Sequence, residues 1–213
     1  MMLLVILLFN PAIAFESVKP LDDLEKEIKD KVIALISIDV EITRINPDHN
    51  QDASVIWSSN ARKNIMVILN QLLSKTDGNL PILSKPATGL DRHTVQVIAL
   101  QSIINLSILG HIQSPLPSKQ KFEWSVGEDM RILKQHIDAD VGLFLFVRGG
   151  FSSETDTPEY QAGFVSLVNL NNGNTIWFDY HTGIAGDFRD PDKAKSSMQI
   201  LMKNFPVKNN AIN

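Results

Sequence analysis

Two acidic side chains stand two positions apart in a stretch of alternating residues. Asp39 and Glu41 lie in VIALISIDVEITRI, which runs from Val32 to Ile45. Successive side chains of a β-strand point to opposite faces, so residues two apart point the same way. Paired carboxylates can bind a cation or share a proton. The simpler interpretation is that both carboxylates line the exposed end of a strand.

A second set of polar residues lies near the C-terminus, in the segment TIWFDYH. Trp177, Asp179 and His181 share one face of this predicted strand. An aspartate in that position can orient His181 as a base or as a metal ligand. The simpler interpretation is a solvent-facing strand on which Trp177 forms an apolar patch, while the alternate residues face the core.

The third candidate is the loop that follows this strand. It carries Asp187 and Arg189 just before a proline-started helix. Arg189 can pair with Asp187 or Asp190 and so pin the last helix, or it can bind an anion. The pinning role is favoured, and anion binding stays open as the alternative.

These residues offer one enzymatic hypothesis. If the fold brings the two strands together, Asp39, Glu41, Asp179 and His181 would form a set suited to a hydrolase or a metal-dependent enzyme. Catalytic groups must reach one substrate, so all four must then lie on one face of the sheet. The sequence holds no phosphate-binding glycine loop, no nucleophile elbow and no zinc-protease motif. We therefore predict no catalytic residue, metal ligand or cofactor from motifs alone.

Composition restricts the class of protein. The 213 residues are 44% hydrophobic and carry a net charge of −4, which is enough apolar material for a core and no basic stripe for nucleic acid. The chain contains no cysteine, which excludes disulfides, zinc–thiolate sites and a lipoprotein anchor.

The first residues have the pattern of an export signal. An apolar run from Met2 to Phe9 is followed by Ala12 and Ala14, the small residues that signal peptidase requires, and the mature chain would begin at Phe15. The run is too short to span a bilayer and lacks a basic flank, so an uncleaved anchor or a buried strand remain alternatives. The predicted location is periplasmic or secreted. The predicted division is a signal peptide over residues 1–14, one domain over 15–206 and a frayed tail over 207–213.

Hydrophobic periodicity predicts the element order β-α-β-α-α-β-β-β-α after a short N-terminal helix. The even-numbered residues from Val32 to Ile42 alternate on one face of the first strand. Polar residues interrupt the apolar run TVQVIALQSIINLSILG, which predicts a buried helix and not a membrane span. Ser125 and Glu128 match a capping box at the start of another helix.

The C-terminal third contains the strongest local signals. Asn171–Asn174 reads NNGN between two apolar runs, which predicts a β-hairpin, and Asp190 with Pro191 predicts a capped helix start. The fold class that follows is a single-domain α/β sandwich. A small mixed sheet is packed by helices and ends in an antiparallel hairpin and a C-terminal helix.

Several segments resemble a family of uncharacterised proteobacterial envelope proteins. They are DADVGLFLFVR at Asp138–Arg148, GFVSLVNLNNGNTIWF from Gly163 and GDFRDPDKA from Gly186, with IDVEIT and WSSNARKN near Ile38 and Trp57. More distantly, the element order is similar to the curli-secretion lipoprotein group and to the amino-terminal domain of the Tol translocation protein. Members of those groups act mostly by binding partners in the envelope. The resemblance implies an exported, non-enzymatic binding or assembly module with envelope protein partners and no transmembrane span after signal removal.

Overall fold

The structure is a computed structural model that describes residues 21–28, 30–73, 82–83, 90–113 and 124–206. The predicted signal peptide, with its cleavage residues Ala12, Ala14 and Phe15, and the predicted tail over 207–213 lie outside the described residues. The described elements are α1 (Leu21–Ile28), β1 (Ile33–Ile45), β2 (Gln51–Ala53), α2 (Val55–Leu73), β3 (Ile82–Leu83), α3 (Arg92–Gln113), a 3-10 helix (Glu128–Gln135), β4 (Val141–Ser152), β5 (Pro158–Asn169), β6 (Thr175–Thr182) and α4 (Pro191–Leu201).

The strands form one open mixed sheet in the order β2-β1-β4-β5-β6, with β3 beside the start of β1. Strands β1 and β4 are parallel and pair along their whole length, whereas β4, β5 and β6 form an antiparallel meander. The predicted α/β class, the mixed sheet, the final hairpin and the C-terminal helix are confirmed.

A β-bulge in β1 changes which side chains share a face. The register against β4 shifts between Leu35 and Ser37, so one extra residue, Ile36, is inserted there. Ala34 and Ile36 consequently pack on one side of the sheet, while Val40 packs on the other side. The prediction of a continuous alternation from Val32 to Ile42 was therefore wrong.

Helices cover the two faces of the sheet unequally. We call the side packed by α1, α2 and α4 the α4 face; it includes Val40, Leu145, Val165 and Trp177, which belong to the main core. We call the opposite side the α3 face; α3 and the 3-10 helix lie on it. The α3 face includes Ile36, Phe144, Phe164 and Phe178, which are split between two smaller clusters.

Local sequence signals explain most of the element ends. Asp190 accepts hydrogen bonds from the N–H groups of Asp192 and Lys193, with Pro191 in the first turn, as predicted. The hairpin turn places Gly173 at φ +72°, a left-handed conformation that glycine adopts without strain.

Two local predictions were wrong. The predicted element order has no strand between β1 and the next helix, whereas residues Gln51–Ala53 form the short edge strand β2. The predicted capping box does not form: Glu128 starts a 3-10 helix behind Gly127, which makes no side-chain cap. The Ser125 hydroxyl donates instead to the carbonyl of Asn172 in the hairpin turn, so tertiary contact overrides the local motif.

Candidate functional site

An arginine absent from the sequence prediction holds Asp39 and Glu41. Arg148 on β4 pairs with Asp39 through an Nη2–Oδ2 distance of 3.1 Å and with Glu41 through an Nε–Oε2 distance of 3.3 Å. Its guanidinium carbon also lies 3.5 Å from the centre of the Phe146 ring. The cluster lies on the α3 face, and the Arg148 side chain is 28% exposed. Both predicted acids thus share a face, as expected, but both are paired with the positive charge of Arg148.

Parallel pairing explains this position of Arg148. Glu41 lies directly opposite Arg148 in the β1–β4 register, and Asp39 lies opposite Phe146. The arginine follows a run of apolar residues within β4, and no spacing within the strand indicates its partners. Only the register between two distant strands could have identified it.

The second candidate set is buried on the α4 face. His181 Nε2 lies 2.9 Å from Asp179 Oδ2, which also accepts a hydrogen bond of 3.0 Å from the side-chain amide of Asn204. Asp179 and Trp177 are 6% and 2% exposed. The interpretation of a solvent-facing strand was therefore wrong, because Trp177 lies in the main core and contacts Phe205 edge-on.

The structure does not bring the two sets together. Asp39 aligns across the sheet with Phe146, Phe164 and Tyr180, so three strand spacings of about 4.8 Å separate it from β6. Asp179 precedes Tyr180 and consequently points to the opposite face. The four-residue arrangement that a hydrolase or metal enzyme would need does not form. Within the described ranges, no three metal-ligating side chains cluster in a way that would hold an ion.

The third candidate, Arg189, is enclosed by carboxylates and aromatic rings. Its Nη2 lies 2.8 Å from Asp187 Oδ2, and its Nη1 lies 2.7 Å from Asp156 Oδ1. The guanidinium carbon stands 3.5 Å from the Phe151 ring centre and 4.4 Å from that of Trp57. Burial lowers the pKa of Arg189, but the hydrogen bonds that it donates to both carboxylates outweigh burial and raise the pKa above the ordinary value.

This cluster joins three parts of the chain. Asn64 on α2 donates to the carbonyl oxygens of Phe188 and Arg189, at 3.0 and 2.9 Å. The turn between β4 and β5 contributes Asp156, and the loop before α4 contributes Asp187. The guanidinium of Arg189 already binds two carboxylates, and only 9% of its side chain is exposed. The geometry therefore favours the role of pinning α4 over the binding of an external anion.

Helix α3 carries polar residues on its inner side. Gln101 donates to Asn105 at 2.9 Å and to the Thr175 hydroxyl at 3.4 Å, and Ser166 donates to Asn105 at 3.3 Å. All four residues are buried. Among the described residues, none provides a hydrogen-bond partner for the Gln101 Oε1 atom. A polar layer therefore separates the middle of α3 from the sheet.

The outward side of the same helix is apolar. Val95, Leu100, Ile103 and Leu106, which we call the outer α3 stripe, are 53%, 47%, 58% and 50% exposed. No charged residue occurs from position 94 to 110. By length and composition, residues 92–110 could cross a membrane, although this helix packs on the sheet. The prediction of a buried helix was thus correct for one side only.

Asp91 begins α3. Its carboxylate accepts hydrogen bonds from the backbone N–H groups of His93 and Thr94, at 2.8 and 3.0 Å, and from the Thr94 hydroxyl. His136 Nε2 lies 3.2 Å away. The Thr94 backbone and hydroxyl donors, with smaller contributions from His93 and His136, outweigh desolvation and lower the pKa of Asp91 to about 2. Asp91 therefore caps the start of α3 with its side chain.

Comparison with known proteins gives a distant fold likeness only. The chain matches no protein-family model and none of the curated proteins. It is similar to the C-terminal domain of LpoB from Salmonella enterica, with 11% identity, a TM-score of 0.30, and coverage of 76% of this chain and 93% of that one. It is also similar to lipoprotein GNA1162 from Neisseria meningitidis, with 11% identity, a TM-score of 0.32, and coverage of 71% and 80%. The function proposed below does not rest on either likeness.

Proposed function

We propose that this protein is exported to the cell envelope and acts by binding another protein through the outer α3 stripe. The observation that carries this proposal is the exposed apolar side of α3, where Ile103 and Leu106 face solvent. The buried side of the helix is mixed, since it holds the polar Gln101 as well as the apolar Val97 and Ile108. A surface helix normally buries its apolar side and exposes its polar side. Contiguous exposed apolar surface of this kind is typical of an interaction site.

The lack of charge on the stripe defines the kind of partner. No acidic or basic side chain lies between positions 94 and 110 to pair with a charged surface. The partner surface is therefore apolar at its centre, as protein interfaces generally are. The net charge of −4 argues against nucleic acid as the partner.

Export is supported by the sequence. The apolar run Met2–Phe9 and the small residues Ala12 and Ala14 match a cleaved signal. We take residues 15–206 as one domain that carries no transmembrane span. In that domain α3 is a packed element, because its buried amides are hydrogen-bonded to residues of the sheet.

A hydrolase is not favoured by any specific observation. Asp39 and Glu41 are paired with Arg148 on the α3 face, whereas the buried Asp179 and the half-buried His181 lie on the α4 face. No single substrate could contact both sets.

Site-specific photocrosslinking in intact proteobacterial cells tests the proposal. A photoreactive residue at Ile103 should give one dominant adduct, which mass spectrometry identifies, and the same residue at Lys195 on α4 should not. The purified partner should then bind the purified chain, and Ile103→Glu with Leu106→Glu should weaken binding at least tenfold, because two charges would be desolvated. Circular dichroism checks that this variant stays folded.

Three results would contradict the proposal. The adduct could consist of a second copy of this chain, or the chain could bind lipid vesicles through the same stripe. The purified chain could also turn over a substrate with Asp179 and His181 required. The export part fails separately, if mass spectrometry finds Met1 retained on a soluble cytoplasmic form instead of a chain that begins at Phe15.

A further inference from the structure

The outer edge of β1 has a gap between two short strands. At its beginning, Ile33 and Ala34 pair with β3, and at its end, Thr43–Ile45 pair with β2. On its other edge β1 pairs with β4 throughout. Among the residues that the structure describes, no strand pairs with the outer edge of residues 35–42.

The contacts of Ile42 show which backbone groups face the gap. Its carbonyl accepts a 2.8 Å hydrogen bond from the N–H of Ser54, and its own N–H donates to the Ser58 hydroxyl at 2.9 Å. Backbone groups of a strand alternate in direction with a period of two. Val40 and Ile38 consequently direct their N–H and C=O groups outward, and no bond to these groups comes from the described part of the chain.

A cavity of about 420 Å³ lies beside this edge, under α2. Ile38 and Met66 are half-buried and give it an apolar floor. Arg62 is exposed and forms no ion pair with any described residue, so it presents a positive charge at the cavity. The lining residues are Ile36, Ser37, Ile38, Asp39, Arg62 and Met66.

We infer that the gap receives an extended segment of a partner protein as an added strand, with an acidic side chain at Arg62 and an apolar one at Met66. Residues 35–41 span about 23 Å at 3.3 Å per residue, which accommodates a segment of about six residues. Arg62 and Met66 are one helical turn apart, about 6 Å, which matches the spacing of two strand residues on one face. Added strands gain affinity from main-chain hydrogen bonds and specificity from alternate side chains.

The flanking strands exclude a second copy as the occupant. If two copies paired symmetrically through residues 35–41, the pairing would be antiparallel. The β3 of one copy would then occupy the same place in the sheet as the end of β1 of the other copy, and the two strands would collide. A single extended segment avoids this collision.

This inference rests on the proposed protein-binding role but uses a different surface from the outer α3 stripe. An experiment can therefore contradict the proposal for the edge of β1 without contradicting the proposal for the outer α3 stripe. A chain with Ile103→Glu and Leu106→Glu should bind the edge peptide as well as the wild type does. Loss of peptide binding in that variant would overturn the inference of an independent edge site.

The test uses the acetylated and amidated hexapeptide TVTETV, with TVTKTV as the charge-reversed control. Two valines and the glutamate of the first peptide share one strand face, which suits Met66 and Arg62. We expect saturable binding of TVTETV by fluorescence anisotropy, and slower amide hydrogen exchange at Ile38 and Val40 by NMR. The lysine peptide should bind at least fivefold more weakly.

Two protein variants distinguish the effect of the charge at position 62 from the effect of the net charge of the protein. Arg62→Glu should weaken TVTETV binding fivefold to tenfold and reverse the preference between the two peptides. Lys63→Glu makes the same change in net charge on the next residue of α2 and should alter binding less than twofold.

Peptide N-methylation tests the main-chain bonds. Methyl groups on the alternate amides that face β1 should abolish binding, whereas methyl groups on the other amides should not. Equal effects of the two methylation patterns would overturn the inference, as would unchanged exchange at Ile38 and Val40. An equal loss in Lys63→Glu would do the same.

Discussion

Two arginines, each between two carboxylates and over an aromatic ring, lie on opposite sides of the sheet. Arg189 is 9% exposed and joins α2, the β4–β5 turn and the loop before α4. Arg148 is 28% exposed and pairs with Asp39 and Glu41, which are themselves 38% and 49% exposed. The same residue types are thus enclosed in one place and open to solvent in the other.

The different exposure of the two arginines indicates that the two sides of the molecule have different roles. The α4 side is closed by a continuous apolar core, beside which Arg189 is enclosed and paired with Asp187. On the α3 side lie a polar layer, an exposed arginine cluster and an apolar outer stripe. We therefore assign stability mainly to the α4 side and association mainly to the other side and the edge of β1.

The largest expected effect is at the enclosed arginine. Arg189→Ala should lower the free energy of unfolding by about 3–5 kcal/mol, because it leaves the buried carboxylate of Asp187 without its partner. Urea denaturation measures this change. The double variant Arg189→Met with Asp187→Asn should recover at least half of the loss, since the buried charge is then absent. If Arg189→Ala lowered the free energy of unfolding by less than about 1 kcal/mol, the enclosed arginine would contribute no more to stability than the solvent-exposed one, which would contradict the comparison.

A smaller effect is expected at the open arginine. Arg148→Ala should lower the free energy of unfolding by less than about 1 kcal/mol, because ion pairs that remain in contact with water contribute little. Urea denaturation at low and high salt measures it, and salt should reduce the difference from wild type. If Arg148→Ala destabilised the protein as much as Arg189→Ala, the α3 face would be as closed as the α4 face.

The smallest effect concerns the start of α3. The pKa of Asp91 is lowered to about 2 from 3.8, so its ionised form stabilises the fold above pH 4, and this contribution is lost as pH falls from 4 through 2. We expect the carboxyl carbon of Asp91 to titrate near pH 2 by NMR, together with the Thr94 amide. Asp91→Asn should remove the amide titration while it keeps the cap. A midpoint near 4 would show that the cap does not hold Asp91 as the structure indicates.

Local sequence signals were sufficient for several elements. The turn at Asn171–Gly173 and the start of α4 at Asp190 and Pro191 depend on backbone preferences of a few adjacent residues, and the structure confirms them. The apolar run that begins at Val141 likewise forms the central strand β4, as a continuous apolar segment favours. Short-range rules therefore account for the type and approximate ends of these elements.

The candidate sites were much less predictable. The period-two rule correctly placed Asp39 with Glu41 and Asp179 with His181, but nothing in either strand indicated that the two pairs face opposite ways. The role of Arg148 could not be predicted from the sequence, because its partners lie more than a hundred residues away in the chain. The bulge at Ile36 and the gap in the outer edge of β1 also have no local signal.

The sequence by itself determined the α/β class, the C-terminal hairpin and helix cap, and the pairs of side chains that share a strand face. Each of these follows from interactions within a few residues, whose geometry is the same in any fold. The tertiary structure alone decided that Arg189 is enclosed, that Arg148 is open, and that α3 turns its apolar side to solvent. Burial and charge pairing of this kind depend on which distant segments of the chain come into contact. A local sequence pattern does not indicate those contacts.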